Sequence, residues 1–291
     1  MFPANIDDYV RPKSVNEALA AIAKYDDGDG MFLAGGQSLM QAIKSRMVRP
    51  SCIVDLQSVA ELRGIDQTSG LTIGAMTRYV EIAECATLPP AYAALNDAAV
   101  HVGDRQVRNR GTIGGSVCWN YVASCMPSVV LALNGTLKLA SSKGTGRELG
   151  AQDFILGPFE TAREDDEILL AISWPEPPQH TGSAYKKWGL VTDALPVVGI
   201  CISVTLDPSG SCVAARVAVA GLADGAQLSV AGAEGLIGSN GSDESIAAAM
   251  ASVAGSVETH TDHWADASYR EQLIRDIGAA VAATAFQRAR G

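Results

Sequence analysis

Residues 111–137 contain no Asp, Glu, Lys, Arg or His. An uncharged run of 27 residues has two stable settings, a bilayer or the interior of a folded protein. Gly114-Gly115, Asn120, Ser124, Pro127 and Asn134-Gly135 are too polar and turn-rich for a membrane span, so the segment is expected to form a buried loop followed by a strand. Burying it requires a large core, which 291 residues supply as one large or two medium domains.

Charge narrows the partners. The net charge is −10, with acids spread along the chain, which argues against nucleic acid or an anionic membrane surface as the main partner. Cys52, Cys85, Cys118, Cys125, Cys201 and Cys212 are dispersed, apolar-flanked and free of any C-x-x-C pair, the usage of core thiols in a reducing compartment. The N-terminal residues have neither the basic start nor the apolar stretch of a signal peptide, so a cytoplasmic protein is expected.

The periodicity predicts a mixed α+β chain. Ser14 and Glu17 form a capping box before Val15, Leu19 and Ile22, a helix that Asp26-Asp27-Gly28-Asp29-Gly30 breaks. A short buried strand over 31–34, the turn Gly35-Gly36, a helix opened by Ser38 and Gln41 at capping-box spacing, and a strand over 53–56 complete a small α/β unit. Strand-like Leu71-Thr72-Ile73-Gly74 alternates with helix-like stretches over 80–84 and 91–99. Pro175-Glu176-Pro177-Pro178 is the strongest linker signal and places a domain boundary after the apolar run 168–174. Beyond it, 197–206 and 212–220 read as two strands joined by a turn with Pro208 in second position. Ser268 and Glu271 suggest a third capping box, opening a helix whose apolar face is Tyr269, Leu273, Ile277 and Val281.

Common catalytic signatures are missing: there is no G-x-G-x-x-G after a strand, no P-loop, no G-x-S-x-G and no H-E-x-x-H. The only ligand-like histidine cluster, His260-Thr261-Asp262-His263, reads as a solvated loop. What remains is a pair of glycine turns. In Phe32-Leu33-Ala34-Gly35-Gly36-Gln37-Ser38 a buried strand delivers backbone without side chains to a helix N-terminus, where free N–H groups favour phosphate. Many such turns carry Gly-Gly only for tight packing. The second, Gly111-Thr112-Ile113-Gly114-Gly115-Ser116, sets a hydroxyl on either side of another Gly-Gly, and two such turns could hold the two phosphates of one dinucleotide.

Three segments occur in order: Ala34-Gly35-Gly36-Gln37-Ser38-Leu39, Gln106-Val107-Arg108-Asn109-Arg110-Gly111-Thr112-Ile113-Gly114-Gly115-Ser116, and Gly157-Pro158-Phe159-Glu160-Thr161-Ala162. Together with Val54-Asp55-Leu56, Leu71-Thr72-Ile73-Gly74-Ala75, Asp166-Glu167-Ile168-Leu169, Ser183-Ala184-Tyr185-Lys186-Lys187 and Tyr269-Arg270, this set resembles the FAD-binding medium subunit of molybdenum hydroxylases, the flavoprotein family of carbon monoxide dehydrogenase and xanthine dehydrogenase. The resemblance covers essentially the whole chain. It implies an α+β fold with an FAD-binding unit of the vanillyl-alcohol-oxidase (PCMH) type over residues 1–176, divided into a small α/β subdomain (1–56) and a larger α+β subdomain (57–176). An antiparallel sheet with helices would follow over 179–291.

Carried over by position, Ala34, Gly35, Gly36, Gln37, Ser38 and Leu39 would cradle the FAD pyrophosphate with Leu33 beside them. Gly111, Thr112, Ile113, Gly114, Gly115 and Ser116 would bind the phosphates and ribityl chain from the other side. Val102 and Leu169 match apolar positions beside the cofactor, Leu195 one over the flavin ring with Asp193 nearby, and Lys186 or Lys187 a lysine near the isoalloxazine. The register between the two lysines stays open. The chain departs from the family where two aspartates are usual: Tyr121 and Cys125 stand there, and Trp119 replaces a smaller residue. Cys125 is a poor acceptor for the flavin's sugar-like chain, a role that Asn120 and Tyr121 could take over.

The resemblance further implies an electron-transfer subunit, with no catalytic acid or base of its own and no metal ligands. Its partners would be a large subunit holding the molybdenum cofactor and a small subunit holding two two-iron two-sulfur clusters, in a heterotrimer that is often doubled. Two alternatives stand beside this reading: a free-standing FAD-dependent oxidoreductase, and a structural subunit of the same complex that has lost FAD.

Overall fold

The structure, a computed structural model, describes residues 4–25, 29–144, 146–191 and 194–291. The α+β organisation expected from the sequence is found, built on three main sheets. In the first, Cys52–Asp55 lies between Asp8–Val10 and Gly30–Leu33, both parallel to it. All four residues of that central strand are buried, which is why it reads as an apolar run without alternation. Helix Val15–Ile22 is capped by Ser14, whose Oγ accepts the Glu17 N–H at 3.2 Å, while the Glu17 carboxylate reaches back to the Lys13 N–H at 2.7 Å. The predicted break at Asp26-Asp27-Gly28 lies outside the described residues. The second expected box is absent: Ser38 occupies the N-cap of helix Leu39–Lys44, but its side chain makes no capping bond.

The second sheet is antiparallel, in the order Ile65–Asp66, Leu71–Gly74, Glu167–Trp174, Thr136–Ser141, Arg147–Gly150. Between Leu71–Gly74 and Thr136–Ser141 the chain makes helices Tyr79–Ala83, Ala93–His101, Arg105–Arg108, Ile113–Trp119 and Cys125–Ala132. The uncharged segment is therefore two helices before its strand, correcting the expected buried loop. Every residue of Cys125–Ala132 is buried, so no amphipathic period marks it, and Pro127 sits in the first turn, where a missing N–H costs nothing.

The third sheet runs Thr181–Trp188, Val198–Leu206, Cys212–Ala220, Gln227–Leu228, also antiparallel. The expected proline turn joins its central strands, with Asp207 Oδ1 accepting the N–H groups of Ser209 and Ser211. Alternation along these strands decides which core each side chain enters. Ala184, Ile200, Ile202 and Val204 face helices Asp243–Ser256 and Ala267–Arg290, whereas Tyr185, Cys201 and Ala218 join the core of the five-stranded unit. The two units are also locked by polar contacts, with Arg288 donating to Asp97 at 2.6 and 3.0 Å and Ser183 Oγ accepting the Ala94 N–H at 3.1 Å.

The last helix starts earlier than its predicted box. Asp266 caps it by accepting the Tyr269 N–H at 2.7 Å, and Ser268 Oγ merely donates to Asp266. Leu273, Ile277 and Val281 are buried as expected, but Tyr269 is exposed and Arg270 takes the buried place. Its guanidinium donates to the carbonyls of Val197, Gly221 and His260 and to Asp262. Burial alone would raise the Asp262 carboxyl; the amides of Trp264 and Ala265 and the Arg270 charge outweigh it and bring it down to about 2. No helix among the described residues is long and apolar enough to cross a membrane, and no metal-binding cluster of His, Cys, Asp or Glu occurs among them.

Candidate functional site

The two glycine turns meet. The first leaves strand Gly30–Leu33, bends at Gly36 with φ +75°, and enters helix Leu39–Lys44; Leu33, Leu39, Ile43 and Ile53 form a small core beneath it. The second follows helix Arg105–Arg108 and enters Ile113–Trp119, where Thr112 Oγ1 caps the helix by accepting the Gly115 N–H at 3.1 Å. A Cβ on Gly35 would stand 2.1 Å from the Arg110 carbonyl oxygen and 2.8 Å from Gly111 Cα. On the second turn, a Cβ on Gly114 would likewise fall 2.7 Å from the Ala75 carbonyl oxygen, while one on Gly115 would meet side chains, Thr112 Oγ1 at 2.8 Å and the Ala34 Cβ at 3.2 Å. Glycine is thus required at 35 and 114 for backbone to touch backbone.

Their hydrogen bonding differs. In the second turn Gly111 N–H donates to Val107, Ile113 to Thr77, Gly114 to Ala75 and Ser116 to Thr112, so these amides are already committed. In the first, the N–H groups of residues 36–40 have no protein acceptor among the described residues, while Gln37 Nε2 closes onto the Gly35 carbonyl at 3.2 Å. Consecutive free amides at the start of a helix are the donor set for an anion such as a pyrophosphate.

Both turns open onto one cavity of about 450 Å³. Strand Glu167–Trp174 supplies Leu169, and the C-terminal unit closes the far side with Lys187, Leu195 and Pro196. Strand parity answers the lysine register left open by the sequence. Lys187 is 8% exposed, lines the cavity and donates to the Ala194 carbonyl at 2.5 Å, whereas Lys186 points to the opposite face and is exposed. Of the residues expected from sequence, Ala34, Gly35, Gly36, Gln37, Ser38, Leu39, Val102, Gly111, Thr112, Gly114, Gly115, Ser116, Cys125, Leu169 and Lys187 line this space. Leu33, Ile113 and Lys186 do not: the first two are packed in the cores below the turns. Asp193 lies outside the described residues.

Sequence reasoning missed Tyr79, Arg163 and Glu167. Tyr79 lies against Gly111, and burial pushes its phenol well above the ordinary range, with Ser116 as an opposing hydrogen-bond partner. No motif marks it, because its place depends on how helix Tyr79–Ala83 meets the second turn. Burial would raise the Glu167 carboxyl, but two 2.7 Å bonds from Arg147 and the Glu164 N–H outweigh it and leave the group below its usual value. Among the thiols, burial pushes Cys118 up to about 11 and raises Cys125, so neither brings an anion to the wall.

The departures from the family pattern sort themselves. Trp119 and Tyr121 line the cavity and both rest on Phe159, with ring centroids 5.8 and 5.3 Å apart. Asn120, between them at φ +42°, points away: its Nδ2 donates to the carbonyls of Gly157 and Glu160, and its carbonyl accepts the Phe159 N–H. Tyr121 thus faces the cavity, whereas the Asn120 Nδ2 group is engaged away from it.

Free amides, glycines without room for a Cβ, an apolar wall and a buried lysine define a dinucleotide-binding site of the flavin type. Two family models match in tandem, the FAD binding domain in molybdopterin dehydrogenase over residues 4–177 and the CO dehydrogenase flavoprotein C-terminal domain over residues 183–284. The chain is 34% identical to the 6-hydroxypseudooxynicotine dehydrogenase complex subunit alpha of Paenarthrobacter nicotinovorans, over 97% of this chain and 95% of that one. It is 32% identical to the carbon monoxide dehydrogenase medium chain of Hydrogenophaga pseudoflava, over 91% and 92%. Among solved structures, carbon monoxide dehydrogenase from Hydrogenophaga pseudoflava superimposes with a TM-score of 0.92 at 29% identity, covering 99% of each chain. Quinoline 2-oxidoreductase from Pseudomonas putida 86 does so with 0.90 at 30% identity, covering 100% of each. The chain belongs to the FAD-binding medium subunits of the molybdenum hydroxylase family, whose members are parts of oxidoreductases.

Proposed function

We propose that this chain is the electron-transfer subunit of a cytoplasmic molybdenum-containing dehydrogenase. It would be held in a heterotrimer with a large molybdenum-cofactor subunit and a small subunit carrying two two-iron two-sulfur clusters. Residues 1–176 act as the cofactor domain, with subdomains 1–56 and 57–176, and 179–291 as the domain that closes its cavity. When bound, FAD supplies the redox chemistry, taking electrons from one partner and giving them to an external acceptor. The observation that carries the reading is the row of free N–H groups at residues 36–40, opening with the second glycine turn onto one cavity.

The chain's own residues bind and orient. The amides of 36–40 receive the pyrophosphate; Thr112 and Ser116 offer hydroxyls from the second turn; Val102 and Leu169 exclude water from the apolar part. Lys187, fixed by the Ala194 carbonyl, holds positive charge toward the flavin end and favours added negative charge there. With Cys125 neutral, no carboxylate opposes it from that position.

Purification from its own cells through a tag on this chain tests the reading. Co-purification of a larger and a smaller chain with molybdenum, iron and a flavin spectrum is expected. A lone yellow protein that turns over its own substrate would overturn it, and a colourless complex would identify a subunit without FAD.

A further inference from the structure

Arg270 is 2% exposed, on a helix face that otherwise buries Leu273, Ile277 and Val281. Sinking a guanidinium into a core is costly unless each of its nitrogens finds an acceptor. Here each does: Nε meets the His260 carbonyl at 3.0 Å, Nη2 the Asp262 carboxylate at 2.7 Å, and Nη1 the carbonyls of Val197 and of Gly221, the latter at 2.9 Å. An apolar side chain would fill the same place without that cost, so the reason for an arginine lies in what it holds.

Two of its acceptors lie just past the end of a ladder. The pairing of strands Val198–Leu206 and Cys212–Ala220 stops at Gly199 and Ala220. Val197 and Gly221 follow, both buried and so close that a Cβ on Gly221, at φ +86°, would fall 2.3 Å from the Val197 carbonyl oxygen. Nη1 supplies both carbonyls with the donor that the ladder no longer gives.

Both carbonyls also lead into the wall of the cavity. Val197 ends the strip Ala194-Leu195-Pro196, which lines it, and the Ala194 carbonyl is the acceptor that holds Lys187 Nζ. The Gly221 N–H donates to the Val122 carbonyl at 3.0 Å, and Val122 stands between the lining residues Tyr121 and Ala123. Arg270 itself does not line the cavity. It ties together from behind the stretches that bring Lys187, Leu195 and Tyr121 there.

We propose that Arg270, held by Asp262, is the positioning residue of the flavin end, setting the 194–197 strip and through it Lys187 against the isoalloxazine. The proposal rests on the flavin reading above. It assigns Arg270 to the potential of the bound flavin and leaves retention to the amides of 36–40.

The test compares complexes purified through the tagged chain, unaltered or carrying Arg270→Lys, Asp262→Asn or Arg216→Met. Lysine keeps the charge but cannot span all four acceptors; asparagine keeps an acceptor for the Trp264 and Ala265 amides while removing the charge beside Arg270. Arg216 is the control: it also ties the C-terminal unit to the first, donating to the Leu131 carbonyl at 2.9 Å, and neither residue lines the cavity. Amide exchange, flavin content and the flavin midpoint potential are read on each sample. Expected in both clamp variants is about tenfold faster exchange at Val197 and Gly221, unchanged flavin content, and a midpoint potential lowered by less than in Lys187→Met. Arg216→Met should match the unaltered chain in potential and flavin content. An unmoved potential in both clamp variants would overturn the proposal, and Asp262→Asn decides alone if Arg270→Lys does not fold. An equal shift in Arg216→Met would reduce Arg270 to one structural tie among several and overturn it too. Loss of flavin from the clamp variants alone would move Arg270 to retention, against the proposal. If the unaltered chain takes up no flavin, the flavin reading itself fails, and the positioning role with it.

Discussion

The two turns share a Gly-Gly pair and are opposite in their hydrogen bonding. Ala34-Gly35-Gly36-Gln37-Ser38 leaves the amides of residues 36–40 without protein acceptors, whereas the amides of Gly111, Ile113, Gly114, Gly115 and Ser116 are all bonded within the chain. Glycine serves close approach in both turns and, in the first, a left-handed backbone as well. Gly36 is needed for its left-handed φ of +75°; Gly35 and Gly114 are needed because a Cβ would strike backbone, at 2.1 Å from Arg110 O and 2.7 Å from Ala75 O respectively. A Gly-Gly pair before a helix or in its first turn therefore announces close approach, and only the fate of the neighbouring amides separates an anion cradle from a packing joint.

Substitutions can break this contrast. The largest effect is expected for Gly35→Ala, which forces the turns apart at a backbone contact: about 3 kcal/mol of stability lost, by chemical denaturation, with flavin retention abolished. Gly36→Ala has room, its Cβ falling 3.3 Å from Met40 Cγ, but pays the left-handed strain of about 1–2 kcal/mol. Its FAD affinity, read by equilibrium titration, should drop about tenfold while the fold persists. Thr112→Val removes the cap of the second turn and should cost about 1 kcal/mol of stability with a smaller change in FAD affinity. Smallest in stability is Lys187→Met, expected to lower the flavin midpoint potential in spectroelectrochemical titration, with Lys186→Met leaving it unchanged.

Much of the fold was legible, and for physical reasons. The strand, glycine turn and helix of the first unit declare themselves locally, as do the proline turn at 207–210 and the apolar spacing of Leu273, Ile277 and Val281. Elements hidden from sequence are those whose environment is uniform or distant. Helix Cys125–Ala132 is buried on all sides and shows no period, and Ser268 at box spacing lost to Asp266, two residues earlier. At the candidate site the turns themselves could be named, but the distinction between them could not. Free amides on one side and bonded amides on the other depend on Ala75 and Thr77, which are far away in sequence. Lys186 and Lys187 were inseparable until the pairing of strand Thr181–Trp188 with Val198–Leu206 fixed which one faces the cavity.

Amide hydrogen exchange, resolved by residue and measured with and without FAD, addresses the contrast between the turns most directly. Residues 36–40 are expected to exchange rapidly in the apoprotein and to become protected on adding FAD, while residues 113–116 are protected in both states. Unchanged exchange at 36–40, or protection gained only at 113–116, would contradict the assignment of the pyrophosphate to the first turn.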